Sequence, residues 1–246
     1  MTRPLIPARP QLWVGRTQAA LASPLGVPQR RDFDAAAGLR RACAELAGTA
    51  TRWRGIEVVV SDAHCRYLVL PRAAGIQGRA ELDASIAARF ASAFGDDPAD
   101  WLLQRDGALL GDSDLVCALR RDTADAIRAG LADARRRLHR LQPLWVWCSR
   151  QPVGDARKPH WLASSDGDTL TMGLFHQQHC VAVRSTRRDA GGLGAALSRE
   201  AARQADHATG TPVWLFGAEA PPPWLDDGSP VVASGRTMPF AAEGVV

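Results

Sequence analysis

The chain has no apolar run long enough to cross a membrane as a helix. A spanning helix needs about 20 consecutive apolar residues, and no window of the 246 residues approaches that length. The first ten residues carry Arg3 and Arg9 but lack an apolar stretch and a small-residue cleavage pattern, so they do not resemble a signal peptide. We therefore expect a cytoplasmic protein that contacts a membrane through a partner, without inserting into it.

Paired cysteine motifs are also missing. The chain has five cysteines, and none of them forms a CxxC motif. An odd, dispersed set argues against a disulfide framework and indicates a reducing compartment. The five are Cys43, Cys65, Cys117, Cys148 and Cys180.

Lysine is nearly absent, so arginine supplies almost all of the positive charge. Lys158 is the only lysine among 30 basic residues, which face 26 acidic residues and give a formal net charge of +4. Clustered arginine neutralises phosphate, so an arginine-rich nucleic-acid-binding protein is one hypothesis. The clusters are interleaved with acids and lack aromatic neighbours, which favours solvated faces instead. They lie at Arg30-Arg31, Arg40-Arg41, Arg120-Arg121, Arg135 to Arg137 and Arg187-Arg188.

The patterns that are present alternate between strand and helix, which indicates an α/β protein. With 46% hydrophobic residues, the chain can bury one large core or two packed lobes. The first half predicts strands at residues 11–22, 29–33, 56–60, 65–70, 101–104, 114–119 and 141–148, and helices at 34–47, 80–94 and 122–138. The strands at 56–60 and 65–70 are expected to form a hairpin.

A second unit repeats the order of strands, helix and strand. Its pattern predicts a meander at residues 160–164, 169–175 and 180–185, a helix at 193–207 and a core strand at 213–216. This is a repeat of topology, without a repeat of residues. We therefore predict a first lobe at residues 1–149, a second, smaller lobe at 150–220, and a Pro-rich, partly ordered tail at 221–246.

A set of residues spread over a little more than a third of the chain resembles the pattern of a known family. They are Trp53-Arg54-Gly55, residues 58–67 with Leu70-Pro71, Phe94-Gly95, Trp101 and Leu141-Gln142-Pro143. With their hydrophobic pattern they resemble the actin-like cytoplasmic domain of the inner-membrane platform proteins of type II secretion (GspL-like) and its soluble type IV pilus counterpart (PilM-like).

The resemblance implies a duplicated RNase H-like, actin-like ATPase fold with two lobes and mixed sheets covered by helices. It also implies a scaffold that docks onto the cytoplasmic segment of an inner-membrane assembly protein and so lies at the periphery of that membrane. A second copy of the chain is another candidate partner. The chain stops without the transmembrane helix of the secretion-type proteins and is therefore more similar to the soluble pilus component.

The nucleotide site that such a fold would carry is degraded in this sequence. An actin-like ATPase needs hairpin amides against the phosphates, carboxylates for Mg²⁺ and a Gly-Gly turn at the adenine. The first hairpin, residues 14–19, has Arg16 but no carboxylate, and Ala218 replaces the second glycine of the adenine turn. We predict no catalytic residue and no hydrolysis, although ATP and Mg²⁺ remain candidate ligands of a residual site. Its residues are Asp166, Gly167, Asp168, Thr169 and Gly217, and hairpin chemistry favours a plain Asp-Gly β-turn as the explanation of the first four.

Other chemistry finds little support. Residues 176–180 hold two histidines and a cysteine, but structural zinc needs four ligands, so a polar hairpin tip is favoured and no metal is predicted. His64 and Cys65 are adjacent in an extended segment and would point to opposite faces, which argues against a thiol catalyst. The common hydrolase motifs are missing.

Tryptophan offers candidate partner-binding residues. Trp145 and Trp147 flank one residue of a predicted strand, and Trp214 lies in an apolar run. Core packing explains most tryptophans, but any that line a groove would be natural anchors for a peptide. Three hypotheses result: a non-catalytic assembly scaffold, which we favour, an ATP-binding actin-like protein, and a nucleic-acid-binding protein.

Overall fold

Two five-stranded sheets form the frame of the molecule. The computed structural model describes residues 9–22, 28–50, 55–71, 78–105, 113–188, 191–204, 210–217 and 222–234. No helix in these ranges is long and apolar enough to cross a bilayer. In chain order the elements are β1 (Gln11–Val14), β2 (Gln18–Ala22), β3 (Gln29–Asp32), α1 (Ala36–Thr49), β4 (Gly55–Val60), β5 (Cys65–Pro71), α2 (Arg79–Phe94), β6 (Trp101–Arg105), β7 (Ser113–Arg120), α3 (Arg121–Asp133), β8 (Arg137–Pro143), α4 (Leu144–Ser149), β9 (His160–Asp166), β10 (Thr169–His176), β11 (His179–Arg187), α5 (Gly192–Ala202), β12 (Val213–Phe216) and β13 (Val231–Ala233).

The first sheet has the strand order β3-β2-β1-β4-β8. Strand β1 pairs antiparallel with β2 and parallel with β4, and β4 pairs parallel with β8. The apolar residues of β4 suit a strand buried on both faces, because most of them are β-branched and face the protein interior on either side. Four of them are fully buried, namely Ile56, Val58, Val59 and Val60.

Helices α1 and α3 pack side by side against this sheet. In α1 the buried residues Leu39, Cys43 and Leu46 recur at helical spacing and form its inner face. The two helices approach most closely at Gly130 of α3. A Cβ atom at Gly130 would lie 2.4 Å from the carbonyl oxygen of Arg40 and 2.7 Å from Cβ of Cys43.

A smaller unit is inserted between β4 and α3. Its three strands form an antiparallel sheet in the order β5-β7-β6, and α2 packs on it around Phe90 and Trp101. The predicted hairpin of β4 with the following strand is wrong, because β4 belongs to the first sheet and β5 pairs with β7. A short 3₁₀ helix, Asp62–His64, leads the chain from one sheet to the other.

The second sheet repeats the arrangement of the first. Its order is β11-β10-β9-β12-β13, with antiparallel β9, β10 and β11 followed by β12, parallel to β9, and β13, parallel to β12. Helix α5 packs on it through Leu193, Ala196 and Leu197. If the strands of each sheet are numbered along the chain, both sheets have the order 3-2-1-4-5. The fold is therefore α/β and duplicated.

Several element boundaries differ from the sequence prediction. The expected strand at 141–148 is β8 followed by α4, because Pro143 lacks an N–H for the ladder and stands before the first helical residue. Helix α3 ends at Asp133 because Arg135 adopts a left-handed conformation with φ 54°. The stretch 11–22 is split by a turn into β1 and β2. Within the predicted tail, residues 231–233 form β13 and extend the second sheet.

The contact at Gly130 yields a test of the helix pair. We expect Gly130→Ala to destabilise the protein by about 1–3 kcal/mol, because the added methyl group overlaps the backbone of α1. Gly48→Ala is the matched control, because a Cβ atom there meets nothing within 4 Å and alanine favours a helix by about 1 kcal/mol. Urea unfolding measures both variants, and equal midpoints would contradict the close approach.

Candidate functional site

Three segments meet where the two sheets face each other. They are the turn after β1, the 3₁₀ helix after β4, and the hairpin between β9 and β10. Each follows the carboxyl end of a strand, the edge at which α/β folds usually place their ligand sites. We call the region between them the cleft and consider it the candidate functional site.

Hydrogen bonds from several parts of the cleft converge on the buried side chain of Asp62. It follows β4 and is 2% exposed. One carboxylate oxygen accepts hydrogen bonds from the Tyr67 hydroxyl and, at 3.1 Å, from the backbone N–H of Trp145. The other accepts from the Ser164 hydroxyl at 2.7 Å. These donors belong to the inserted unit, α4 and the second sheet, so Asp62 connects the first lobe to all three.

Burial governs the protonation of this cluster. It raises the pKa of the Asp62 carboxyl, while hydrogen bonds from Tyr67, Ser164, Trp145 and Thr171 oppose that rise. Burial and the neighbouring carboxyl also raise the pKa of the Tyr67 phenol well above its ordinary value. Tyr67 therefore stays protonated and remains a hydrogen-bond donor to Asp62.

His64 connects the first hairpin to helix α3. Its Nε2 donates to the Gly15 carbonyl oxygen at 3.0 Å, and the Thr123 hydroxyl lies 3.5 Å from Nδ1. A carbonyl oxygen only accepts, so Nε2 carries the hydrogen and the Thr123 hydroxyl is oriented toward Nδ1. Burial lowers the pKa of His64 and favours its neutral form.

The mouth of the cleft is bridged by an ion pair between two hairpin tips. Arg16 Nη1 lies 2.5 Å from Oδ2 of Asp168, and Arg187 Nε lies 3.1 Å from the same oxygen. Arg188 donates to the carbonyl oxygen of Gly167. Partial burial opposes the effect, but the two guanidinium groups beside Asp168 hold its pKa below the ordinary value. This carboxylate is therefore already neutralised by the protein itself.

Asp166 is the least satisfied group of the cleft. Burial raises its pKa to about 6, with a smaller rise from the nearby Asp62 and Asp168, although a hydrogen bond from the Ser61 side chain opposes the shift. Its Oδ2 has no hydrogen-bond partner within the described part of the chain. At neutral pH a largely charged carboxylate is thus held where its charge costs free energy.

The structure brings the five predicted nucleotide residues to one end of β9. Gly167 has φ 56° and forms the predicted turn between β9 and β10. Thr169 is buried, with its hydroxyl 3.3 Å from Asp168. A Cβ atom at Gly217 would lie 3.2 Å from Cβ of Ser165, so the backbone at Gly217 lies directly on β9.

The arrangement does not fit Mg²⁺ and a nucleotide. Magnesium needs several free carboxylate oxygens and room for several waters, whereas Asp62 is enclosed by donors and Asp168 is paired with two arginines. Asp166 alone keeps an oxygen without a partner in the described part of the chain, and that oxygen is buried. No group of three or more metal-ligating side chains occurs in the described ranges.

Two of the three candidate tryptophan anchors are buried, contrary to prediction. Trp145 is fully buried, and its Nε1 donates to the Leu162 carbonyl oxygen at 3.0 Å. Trp147 is only 9% exposed. Both lie on α4, which packs into the core between the lobes, and not on the exposed face of a strand. Of the three, Trp214 alone is half-buried.

Comparison with known proteins finds structural similarity only. No family model and no curated protein sequence matches the chain. The cytoplasmic domain of EpsL, an inner membrane component of the type II secretion system of Vibrio cholerae, matches with a TM-score of 0.63 and 12% identity, over 92% of this chain and 90% of that one. A protein of Bacteroides thetaiotaomicron with an actin-like ATPase fold and unknown function gives a TM-score of 0.51 at 10% identity, over 86% and 82%.

The chain has an actin-like fold. The PilM-PilN type IV pilus biogenesis complex is a further match, with a TM-score of 0.57 and 13% identity over 85% of this chain and 81% of that one. The two-lobed, actin-like class expected from the sequence is thereby confirmed. Sequence reasoning treated Asp62 and His64 as turn residues and missed their role, although a carboxylate directly after a buried strand was a usable signal.

Removing the Asp62 carboxylate tests its role in this actin-like fold. We expect Asp62→Ala to destabilise the protein by about 3 kcal/mol, because buried donors at Trp145 and Ser164 lose their acceptor. Asp125→Ala removes an exposed carboxylate from α3 and should change stability by less than about 0.5 kcal/mol. Urea unfolding at neutral pH measures both, and similar losses would contradict the central role of Asp62.

The raised pKa of Asp166 predicts a pH-dependent stability. Because its folded pKa is about 6, above the ordinary 3.8, the folded state binds this proton more tightly than the unfolded state. The favourable contribution of protonated Asp166 to the free energy of unfolding is complete below the ordinary pKa and is lost as pH rises to about 6. Relative to wild type, Asp166→Asn should therefore gain stability over that interval, by at most about 3 kcal/mol.

Asp168→Asn is the matched control, because the pKa of Asp168 is lowered. Its stabilising contribution is present above the ordinary pKa and is lost as pH falls, so this variant should lose relative stability as pH rises. Urea unfolding between pH 3 and 7 compares the two slopes. Slopes of the same sign would contradict the assignment.

Proposed function

We propose that the chain is a non-catalytic assembly protein of a type IV pilus or type II secretion machinery, and that it binds the cytoplasmic segment of an inner-membrane partner. The observation that carries the proposal is the filled cleft. Asp62 bonds to Ser164 across it, and Arg16 pairs with Asp168 at its mouth. This fold keeps both sheets, but the region that would bind phosphate forms internal contacts instead. We infer that the fold serves as a binding surface for another protein.

The similar structures support the choice of machinery. One is described as the cytoplasmic domain of an inner membrane component of type II secretion, and another as a type IV pilus complex in which PilM is bound to PilN. A chain of the same fold, with no described helix suited to cross a bilayer, meets such a membrane component through its surface. We therefore place this protein at the cytoplasmic side of the inner membrane.

Trp214 is the residue we propose as an anchor for the partner segment. It lies on β12 beside the segment that links the lobes, where a Cβ atom at Gly154 would approach its ring to 2.7 Å. Trp145 and Trp147 serve the core instead. A half-buried indole offers a large rigid face to a peptide at little cost in conformational entropy.

Calorimetric titration with Mg²⁺-ATP tests the non-catalytic part of the proposal. We expect no binding below about millimolar concentration, which corresponds to less than about 4 kcal/mol, because Asp62 and Asp168 are already engaged and Asp166 alone is a poor site for Mg²⁺. The alternative, an ATP-binding protein using Asp166, Asp168 and Gly217, predicts micromolar binding that Asp166→Ala abolishes. That result would overturn the scaffold proposal.

Peptide binding tests the docking part. Labelled peptides are made from the cytoplasmic segments of the inner-membrane pilus and secretion proteins of the same organism, and anisotropy measures their affinity for the full chain. We expect at least one peptide to bind, and Trp214→Ala to weaken it about 30-fold, the effect of a 2 kcal/mol hot spot.

Trp224→Ala is the matched control, because Trp224 belongs to the same lobe and is 61% exposed. It should leave the affinity unchanged. Failure of every peptide to bind would contradict the docking proposal, and equal losses in the two variants would contradict the role of Trp214.

A further inference from the structure

Arginines that form no ion pair with a described residue gather at the end of the first sheet that lies away from the cleft. Strand β8 forms one edge of this sheet, and its first residues include Arg137, His139 and Arg140, all exposed. Arg9 precedes β1 and donates to the His139 ring. Arg135 immediately follows the last turn of α3. We call Arg9, Arg135, Arg137, His139 and Arg140 the basic edge.

The strand register places these residues together. Arg137 pairs with Gly55 and Arg140 with Glu57, at the amino end of β4. The backbone N–H of Glu57 donates to the Pro10 carbonyl oxygen, which places Arg9 at the same end. Six residues of β4 separate this end from Asp62, a distance of about 20 Å. The basic edge therefore lies well away from the cleft.

The residues that the structure describes do not neutralise the charge of the basic edge. None of its four arginines forms an ion pair within the described ranges, whereas arginines elsewhere do, such as Arg40 with Asp133 at 2.7 Å. Glu57 is the acid that the register places nearest, and it is half-buried beside Arg140 without an ion pair to it. The net charge of +4 is thus concentrated in part on this end.

Arg135 adds an independent observation. It occupies the position after a helix end at which the chain turns left-handed, with φ 54°, and glycine is preferred there because it lacks a Cβ atom. An arginine in this conformation costs backbone energy that glycine would avoid. Strain of this kind is typical of positions kept for function.

We propose that the basic edge binds the anionic phospholipid surface of the membrane that carries the partner. Guanidinium groups match phosphate oxygens with paired hydrogen bonds, and the basic edge contains no Trp, Tyr or Phe on which a nucleic-acid base would stack. The preference for lipid over nucleic acid rests on the proposed function. Contact through this edge leaves the cleft and Trp214, which lie elsewhere on the molecule, free for a partner.

Co-sedimentation of the full chain with vesicles tests the inference. Vesicles of phosphatidylglycerol mixed with phosphatidylcholine should retain the protein at low salt, pure phosphatidylcholine should not, and added salt should release it. Each arginine near an anionic surface contributes about fivefold in partition. Arg137→Gln combined with Arg140→Gln should therefore weaken retention about 30-fold.

Arg89→Gln combined with Arg157→Gln is the control with the same change of net charge. Both residues are exposed, and they lie in the inserted unit and in the segment before β9. Retention should stay within about twofold of wild type, because surface charges beyond a Debye length are screened. Equal losses in the two double variants would overturn the proposal.

Arg135→Gly separates binding from stability. This variant should raise the midpoint of thermal unfolding, because glycine relieves the left-handed strain, and yet weaken vesicle retention about fivefold. Retention equal to wild type would count against the proposal. Binding to nonspecific duplex DNA that is tighter than binding to the vesicles, and that the Arg137 and Arg140 changes abolish, would also count against the proposal. The vesicles contain no protein, so these outcomes are independent of the peptide titration.

Discussion

A carboxylate enclosed within a protein must find partners there, and Asp62 finds them in parts of the chain that are far apart in sequence. Its hydrogen bonds come from the inserted unit, the linking helix and the second sheet. The relative placement of these parts depends on one side chain of 2% exposure. Because each donor would lose its partner if a lobe moved, the cluster favours a single arrangement of the lobes.

This constraint also decides what the fold can do chemically. In an actin-like fold the region between the lobes is the natural place for phosphates and a metal. Here Asp62 fills its floor, and Arg16 and Asp168 close its mouth. The duplicated sheets, with one strand order used twice, each carry their own hydrophobic packing.

The sequence predicted the features that depend on local pattern. The helices α1 and α2, the turn at Gly167 and the repeat of strands, helix and strand follow from periodicity and turn residues. The pairing partner of a strand does not follow from local pattern. For this reason β4 and β5 were expected to pair with each other, although each joins a sheet whose other strands lie far away in sequence. Asp62 was missed for the same reason, because nothing near it reveals that Ser164 is its neighbour.

The linking helix α4 carries bonds to both lobes on one residue. The backbone N–H of Trp145 is held by Asp62 of the first lobe, and its indole nitrogen is held by Leu162 of the second. A hinge residue normally has loose contacts on at least one side, whereas Trp145 is hydrogen-bonded to both lobes. A force that a partner exerts on one lobe would therefore be transmitted directly to the other lobe, and the two lobes would move as one rigid body.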